Sequence, residues 1–150
     1  MTDADFWTLV AMVPPHELAD DPGAVADAED LAALTSELAA RPDEQVISFF
    51  HLFSAKLHAL DTPAHYENCR VCGHEASSDV FLYARCHVLA LGPDRYAEIL
   101  SDPTRFPRDL WFEDILGSAN EAYDRVWERD PDPDARPNYE SFTNVAWNTK

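Results

Sequence analysis

Glycine and lysine are scarce in this sequence. Four glycines stand among 150 residues, and Lys56 and Lys150 are the only lysines. A phosphate-binding loop or a dinucleotide-binding fingerprint needs several glycines within a short stretch, so the sequence excludes both. No apolar stretch reaches the length of a membrane span. The first residues, MTDADFW, are acidic where a secretory signal is basic, so we expect no such signal.

Positive charge is scarce as well. Lysine and arginine total 11 against 28 aspartates and glutamates, which gives a formal net charge of −17. Nucleic acid and anionic membranes repel such a surface, so we predict that the protein binds neither. The charge permits a basic protein partner or a cationic ligand, although a solvated acidic face is the simplest interpretation. The sequence does not indicate an oligomeric state.

Cysteine occurs three times, and an odd number cannot form a complete set of disulfides within one chain. Together with the missing secretory signal, this predicts a cytoplasmic protein whose thiols are reduced. The cysteines are therefore candidates for metal binding, for redox chemistry or for simple burial.

Large apolar side chains are plentiful. Hydrophobic residues make up 46% of the chain and include 8 phenylalanines, 4 tryptophans and 5 tyrosines. Such a supply in a chain of this length predicts one domain, which we place at residues 1–129. A Pro- and Asp-rich linker and a tail follow at 130–150. Four apolar residues of the tail are predicted to dock against the core: Tyr139, Phe142, Val145 and Trp147.

Apolar residues recur at helical spacing along the domain, and no stretch alternates as a strand does. The pattern predicts an all-α fold, a compact bundle of six or seven helices. The strongest stripe lies on the third helix and comprises Val46, Phe50, Phe53, Leu57 and Leu60. Helices are predicted at about 3–12, 25–40, 42–60, 78–91, 94–101 and 110–129. Thr2 and Asp5 have the spacing of a capping box before the first of them.

The stretch HYENCRVCGH at residues 65–74 concentrates ligands that zinc prefers. The candidate ligands are His65, Cys69, Cys72 and His74, together with Cys86 and His87 on the following helix. Four ligands within ten residues would tie only one loop to itself. A set that adds Cys86 or His87 would instead fix the loop to the next helix, which is the more useful structural zinc site.

Two other interpretations of the Cys69–Cys72 pair remain open. A redox pair normally lies at a helix N-terminus in a βαβ unit, where the dipole lowers the pKa of the thiol. No such unit is visible here, and the surrounding acidic charge raises the pKa instead. The remaining interpretation is that both are ordinary cysteines, partly buried as small apolar residues.

Arg85 shares a predicted helix face with Phe81 and Val88, so its guanidinium is drawn toward the core. A buried arginine needs a carboxylate, and the candidates are Asp79, Glu113 and Asp114. A structural ion pair is the simplest role for this group. Together with His87, these residues are also the candidate polar pocket of an enzyme.

The stretch SSDVFLYARCHVLALGPDRYAEILSDP resembles an uncharacterised bacterial family, the domain of unknown function number 4240. The matching residues are Ser77, Asp79, Phe81, Tyr83, Arg85, Gly92, Tyr96, Leu100, Asp102 and Pro103. Shorter matches extend the resemblance over most of residues 3–125. Ser78 and His87 depart from the pattern, and the family's corresponding segment lacks a Cys-x-x-Cys.

The resemblance implies a helical fold and supplies no catalytic residues. Some members are joined to a WGR-type module, which implies an accessory role. The resulting expectation is a small acidic binding module, with a structural zinc as a further hypothesis. One alternative is a small biosynthetic enzyme whose pocket surrounds Asp79, Arg85 and His87. Another is an immunity or antitoxin-like protein that binds a basic partner.

Overall fold

A computed structural model describes residues 1–13, 28–71, 73–129 and 137–148. Within these ranges the chain forms seven α-helices, which confirms the predicted all-α class. They are α1 (Asp3–Val10), α2 (Ala28–Ala40), α3 (Asp43–Ala59), α4 (Pro63–Asn68), α5 (Ser78–Ala90), α6 (Pro93–Ser101) and α7 (Asp114–Trp127). Short 3-10 turns lie at Pro103–Arg105 and Val145–Asn148. The predicted start of the second helix, at residues 25–27, lies outside the described residues.

Capping side chains fix where α1 and α5 begin. The Thr2 hydroxyl accepts a hydrogen bond from the Asp5 amide at 3.2 Å, and the Asp5 carboxylate accepts one from the Thr2 amide at 3.0 Å. This is the predicted capping box, which satisfies amides that have no partner within the helix. The Ser77 hydroxyl accepts from the Val80 amide at 3.3 Å and begins α5 in the same way.

Two elements near residue 70 were not predicted. Pro63 closes the apolar pattern of α3, but it also suits the first turn of a helix, and Thr62 caps α4 in front of it. A two-stranded antiparallel hairpin follows, with β1 at Arg70–Val71 and β2 at His74–Glu75. Gly73, between the strands, has a φ of 78°, a left-handed conformation that glycine adopts without strain.

The last helix begins four residues later than predicted, at Asp114 instead of about residue 110. The preceding backbone is bonded to other elements instead of forming a helix. The Asp109 amide donates to the Arg70 carbonyl at 2.9 Å, and the Phe112 amide donates to the Tyr83 carbonyl at 3.0 Å. Asp109 also has a φ of 59°, outside the right-handed helical region.

Helix α3 lies at the centre of the core. Its predicted stripe is buried throughout, with exposed fractions of 0% to 4%. It packs against α7 and α5, and α2 packs against α7. Burial of this face is the main stabilising contribution, because each large apolar side chain removed from water contributes about 1.5–3 kcal/mol. In the described part of the chain, no helix combines the length and apolar character needed to cross a membrane.

Candidate functional site

Residues 137–148, here called the C-terminal segment, dock on the core. Tyr139 and Trp147 pack against it, and the Tyr139 hydroxyl donates to the Asn120 side chain at 3.0 Å. Phe142 is 41% exposed but contacts other rings, whereas Val145 is 77% exposed. Three of the four apolar residues that were expected to dock therefore do so, and Val145 does not.

Asp61 is the centre of the docked arrangement. It follows α3, is 0% exposed, and accepts hydrogen bonds from three consecutive backbone amides. The distances are 2.8 Å to Phe142, 2.8 Å to Thr143 and 2.9 Å to Asn144. The indole N–H of Trp147 adds a fourth donor, 3.1 Å from the carboxylate and 2.9 Å from the Asp61 carbonyl. A buried carboxylate is tolerated when several donors satisfy it in this way.

The conformation of Phe142 makes this convergence of amides feasible. Its φ is 67°, which reverses the local backbone direction and turns successive N–H groups toward one acceptor. The Asn144 side chain then accepts from the Ala146 amide at 2.9 Å and closes the next turn. The C-terminal segment thus forms a concave set of donors around the Asp61 carboxylate.

Arg85 lies beside this arrangement and is 0% exposed. One terminal nitrogen donates to the Leu57 carbonyl at 2.9 Å, and the other donates to the Ser141 hydroxyl at 2.8 Å. The Ser141 hydroxyl in turn donates to the Ser78 carbonyl at 2.7 Å. A hydroxyl of the C-terminal segment therefore connects the buried guanidinium with the first turn of α5.

The carboxylate that balances the positive charge of Arg85 is not one of the three predicted. Burial lowers the pKa of the Arg85 guanidinium, and the negative charge of Asp61 is the largest effect that opposes this shift. The predicted partners were Asp79, Glu113 and Asp114, and among the ion pairs of the described ranges none joins Arg85 to them. Asp61 replaces them because α3 ends beside the guanidinium.

The other members of the predicted polar pocket are not among the described hydrogen-bond partners of Arg85. Asp79 and Glu113 are exposed, and Asp114 is half-buried in the first turn of α7. Glu113 interacts instead with Tyr83, whose pKa is raised by burial and by a hydrogen bond to that carboxylate. His87 is 3% exposed within α5.

Asp61 was not predicted as a site residue, although its position in the sequence indicates that it is buried. Leu57, Leu60 and Asp61 continue the apolar stripe of α3 at helical spacing, which places the carboxylate on the buried face. A carboxylate at such a position must find donors. Those donors lie 81 to 86 residues later in the chain, where sequence spacing gives no information.

His65 has a structural role. It is 3% exposed, with Nδ1 2.7 Å from the Thr62 hydroxyl and Nε2 3.1 Å from the Ile99 carbonyl. Burial lowers the pKa of the imidazole. The neutral tautomer that donates from Nε2 and accepts at Nδ1 satisfies both contacts. The ring joins α4 to α6, and both nitrogens are engaged in the fold.

The described thiols are buried. Cys69 and Cys86 are free, 1% and 0% exposed, and burial raises the pKa of Cys69 to about 11 and that of Cys86 to about 12. Without a bound metal ion both thiols are therefore protonated at neutral pH, and a zinc ion would have to displace these protons. His74 is exposed on β2, and Cys72 lies outside the described residues. Within the described ranges no three potential ligands come together as a metal site. The zinc site stays a prediction because Cys72 is outside those ranges.

Comparison with known proteins gives one family. No curated protein and no solved structure matches the chain. A family model described as "Protein of unknown function (DUF4240)" matches residues 1–125. Asp61 and Arg85 lie within the matched range, whereas the C-terminal segment lies beyond it. Because the match covers most of the sequence, the chain belongs to the DUF4240 family of proteins of unknown function.

Proposed function

We propose that this protein is a binding module that recognises a segment of polypeptide. The binding site, here called the docking site, comprises Leu57, His58, Asp61, Tyr66, Ser78, Phe81 and Arg85. One observation carries the proposal: four N–H groups of the C-terminal segment, three of them successive backbone amides, converge on the buried carboxylate of Asp61.

Hydrogen-bonding capacity favours a polypeptide ligand. Apart from the Asp61 carboxylate, the docking site presents the carbonyl oxygens of His58, Asp61 and Ser78 to the C-terminal segment. In the described hydrogen bonds, Arg85 is the residue of the docking site that donates to the C-terminal segment. A ligand that fits must therefore supply many N–H groups in a compact array. A turn of backbone with a few polar side chains supplies these N–H groups. Peptide sites that add a strand to a sheet, or in which successive backbone N–H groups surround a carboxylate, use hydrogen bonds of the same kind.

Charge balance favours a neutral segment over a cationic ligand. Asp61 and Arg85 carry opposite charges, and both are 0% exposed. A bound cation would gain from Asp61 but would be repelled by the Arg85 guanidinium in the same low-dielectric environment. Neutral amides satisfy Asp61 without this repulsion. The net charge of −17 then contributes by attracting a partner whose surroundings are basic.

Aromatic contacts supply the apolar part of the docking site. The Phe142 ring lies 5.2 Å from the Tyr66 centroid and 6.2 Å from the Phe81 centroid. The first pair is edge-to-face and the second is stacked, and aromatic pairs of either kind contribute about 0.5–1.5 kcal/mol each beyond the area that they bury. An aromatic anchor beside a polar array is a common arrangement at peptide-binding surfaces.

The enzyme hypothesis has less support from these contacts. Its pocket required Asp79, Arg85 and His87 to converge on a substrate. Arg85 is instead committed to Leu57 and Ser141, and Asp79 is exposed on the first turn of α5.

The test separates the segment from the core after folding. A site for a sequence-specific protease is introduced between residues 129 and 137, the folded full-length protein is cut, and a fluorescent peptide of residues 137–150 is added. We expect the original fragment to stay associated or the labelled peptide to bind saturably, measured by gel filtration and fluorescence anisotropy. Asp61→Asn should weaken peptide binding at least about tenfold, because it removes the charged acceptor.

Asp79→Asn is the matched control and should leave binding unchanged, since Asp79 is exposed and outside the docking site. Circular dichroism verifies that each cut protein remains helical. A cut, folded protein that loses its fragment and binds no labelled peptide would contradict the proposal.

A further inference from the structure

We infer that the docking site selects its partner by side chains as well as by backbone, in the pattern Ser-aromatic-x-Asn-x-x-Trp. The C-terminal segment carries this pattern as Ser141, Phe142, Asn144 and Trp147. It is the intramolecular copy that keeps the site closed until a partner segment of the same chemistry replaces it. The inference rests on the proposed function and adds the identity of the contacts that discriminate.

The first position requires a hydroxyl. Ser141 accepts from Arg85 at 2.8 Å and donates to the Ser78 carbonyl at 2.7 Å, so one small group satisfies a buried donor and an acceptor. The Nε of Arg85 already has no hydrogen-bond partner among the described residues. An alanine at this position would leave a second guanidinium nitrogen of a fully buried arginine unpaired, which is strongly unfavourable.

The fourth position requires a carboxamide. The Asn144 side-chain NH2 donates to the His58 carbonyl at 2.7 Å, while its oxygen accepts from the Ala146 amide at 2.9 Å. An aspartate has the same shape but only acceptors. It would place a negative charge against the His58 carbonyl and near Asp61, so the site rejects it.

The seventh position requires an indole. The Trp147 N–H contacts the Asp61 carbonyl at 2.9 Å and the Asp61 carboxylate at 3.1 Å. Its ring packs edge-on against Phe142 at 4.8 Å and against Tyr66 at 5.8 Å. Phenylalanine keeps an apolar ring at this position but has no donor for Asp61.

The second position requires an aromatic ring on a left-handed backbone. Phe142 has a φ of 67°, an unfavourable conformation for a bulky residue. It persists because the amide of Phe142 reaches Asp61 and its ring contacts Tyr66 and Phe81. The strain is thus offset only when the whole pattern is docked.

Two positions of the C-terminal segment do not contact the docking site through their side chains. Val145 is 77% exposed, and the Thr143 hydroxyl donates to the Glu140 carbonyl within the segment itself. Substitutions there keep the length, charge and backbone of the peptide. They are therefore matched controls for substitutions at the discriminating positions.

Covalent attachment gives the C-terminal segment a high effective concentration at the docking site. A free partner segment of equal intrinsic affinity competes poorly with it, as an attached ligand commonly acts at an effective concentration near the millimolar range. Partner binding therefore requires a better match to the pattern or additional contacts elsewhere.

The experiment uses the cut protein, freed of its fragment, with six labelled peptides of residues 137–150: the unsubstituted peptide and five that each carry one substitution. We expect Ser141→Ala and Trp147→Phe to weaken binding by about tenfold, and Asn144→Asp by more than that. Val145→Ala and Thr143→Ala should remain within about twofold of the unsubstituted peptide. If the unsubstituted peptide binds and all five substituted peptides bind equally well, selection by side chains is overturned while the proposed function stands. If the unsubstituted peptide does not bind, the proposed function itself fails.

A second measurement uses the intact chain. Hydrogen exchange of the Phe142, Thr143 and Asn144 amides reports the closed state of the docking site directly. Trp147→Phe should accelerate exchange of these amides about tenfold, whereas Val145→Ala should not change it. Equal protection in the two variants would overturn the role assigned to the indole.

Discussion

Lys56 shows how one side chain joins three helices. Its ammonium lies 2.5 Å from the Asp3 carboxylate of α1 and 4.8 Å from the Trp7 ring centroid. The Phe6 and Tyr96 rings are 5.4 Å and 5.5 Å away. Asp3 is 61% exposed, so its ion pair contributes little, and the three ring faces are the main attraction.

We expect Lys56→Met, which keeps the length of the side chain and removes its charge, to lower the free energy of unfolding by about 1–2 kcal/mol. Lys56→Arg should retain most of the stability, because a guanidinium also interacts with ring faces. Urea denaturation followed by circular dichroism measures both. Arg105→Met is the control, since Arg105 is 54% exposed and its ion-pair partners in the described part of the chain, Glu98 and Asp102, are exposed as well. Equal losses in Lys56→Met and Arg105→Met would argue against a cation–π contribution.

At the scale of elements, the sequence predicted helices where apolar periodicity is strong. The stripe of α3 was correct because a long amphipathic helix repeats its signal over several turns. Helix α4 was missed because Pro63 ends one pattern and begins a helix too short to show another. The contact between Asp61 and its donors could not be predicted from the sequence. It depends on how the C-terminal segment returns to α3 and not on local spacing.

Two glycines provide a paired test of backbone conformation. Gly92 joins α5 to α6 with a φ of 90°, whereas Gly117 lies within α7, and an added Cβ meets open space at both. Gly92→Ala should destabilise the protein by about 1 kcal/mol or more, because alanine is strained at that φ. Gly117→Ala should stabilise it by roughly 0.5–1 kcal/mol through helix propensity. Thermal unfolding of the two variants should shift in opposite directions, and shifts of the same sign would contradict this explanation.

At the scale of the whole molecule, we expect the two buried thiols to lower the free energy of unfolding as the pH becomes alkaline. The folded protein holds the protons of Cys69 and Cys86 to higher pH than the unfolded chain, whose thiols have the ordinary value near 9.0. As the pH rises past about 9, the unfolded state loses these protons first and is favoured. Stability should then fall by up to about 1.4 kcal/mol per pH unit for each thiol, and be unaffected by them below pH 8.

Cys86→Ala should make this decline shallower. The cavity left by the smaller side chain lowers stability at every pH, so the slope between pH 8 and pH 10.5 is the informative quantity and the absolute value is not. Urea denaturation at several pH values gives the slope. A variant whose stability declines as steeply as that of the original protein would show that the Cys86 thiol is not responsible.

The docking site is synthesised before the C-terminal segment that covers it. Its two charged groups, Asp61 and Arg85, precede the C-terminal segment in the chain, and the contacts of Asp61 span 81 to 86 residues. Contacts of such sequence separation form late in folding. At about 5–20 residues synthesised per second, the ribosome needs roughly 3–10 s to pass from Arg85 to the start of the C-terminal segment. A nascent chain thus passes through an interval in which the site is accessible, and a partner present at the ribosome meets no competing segment then.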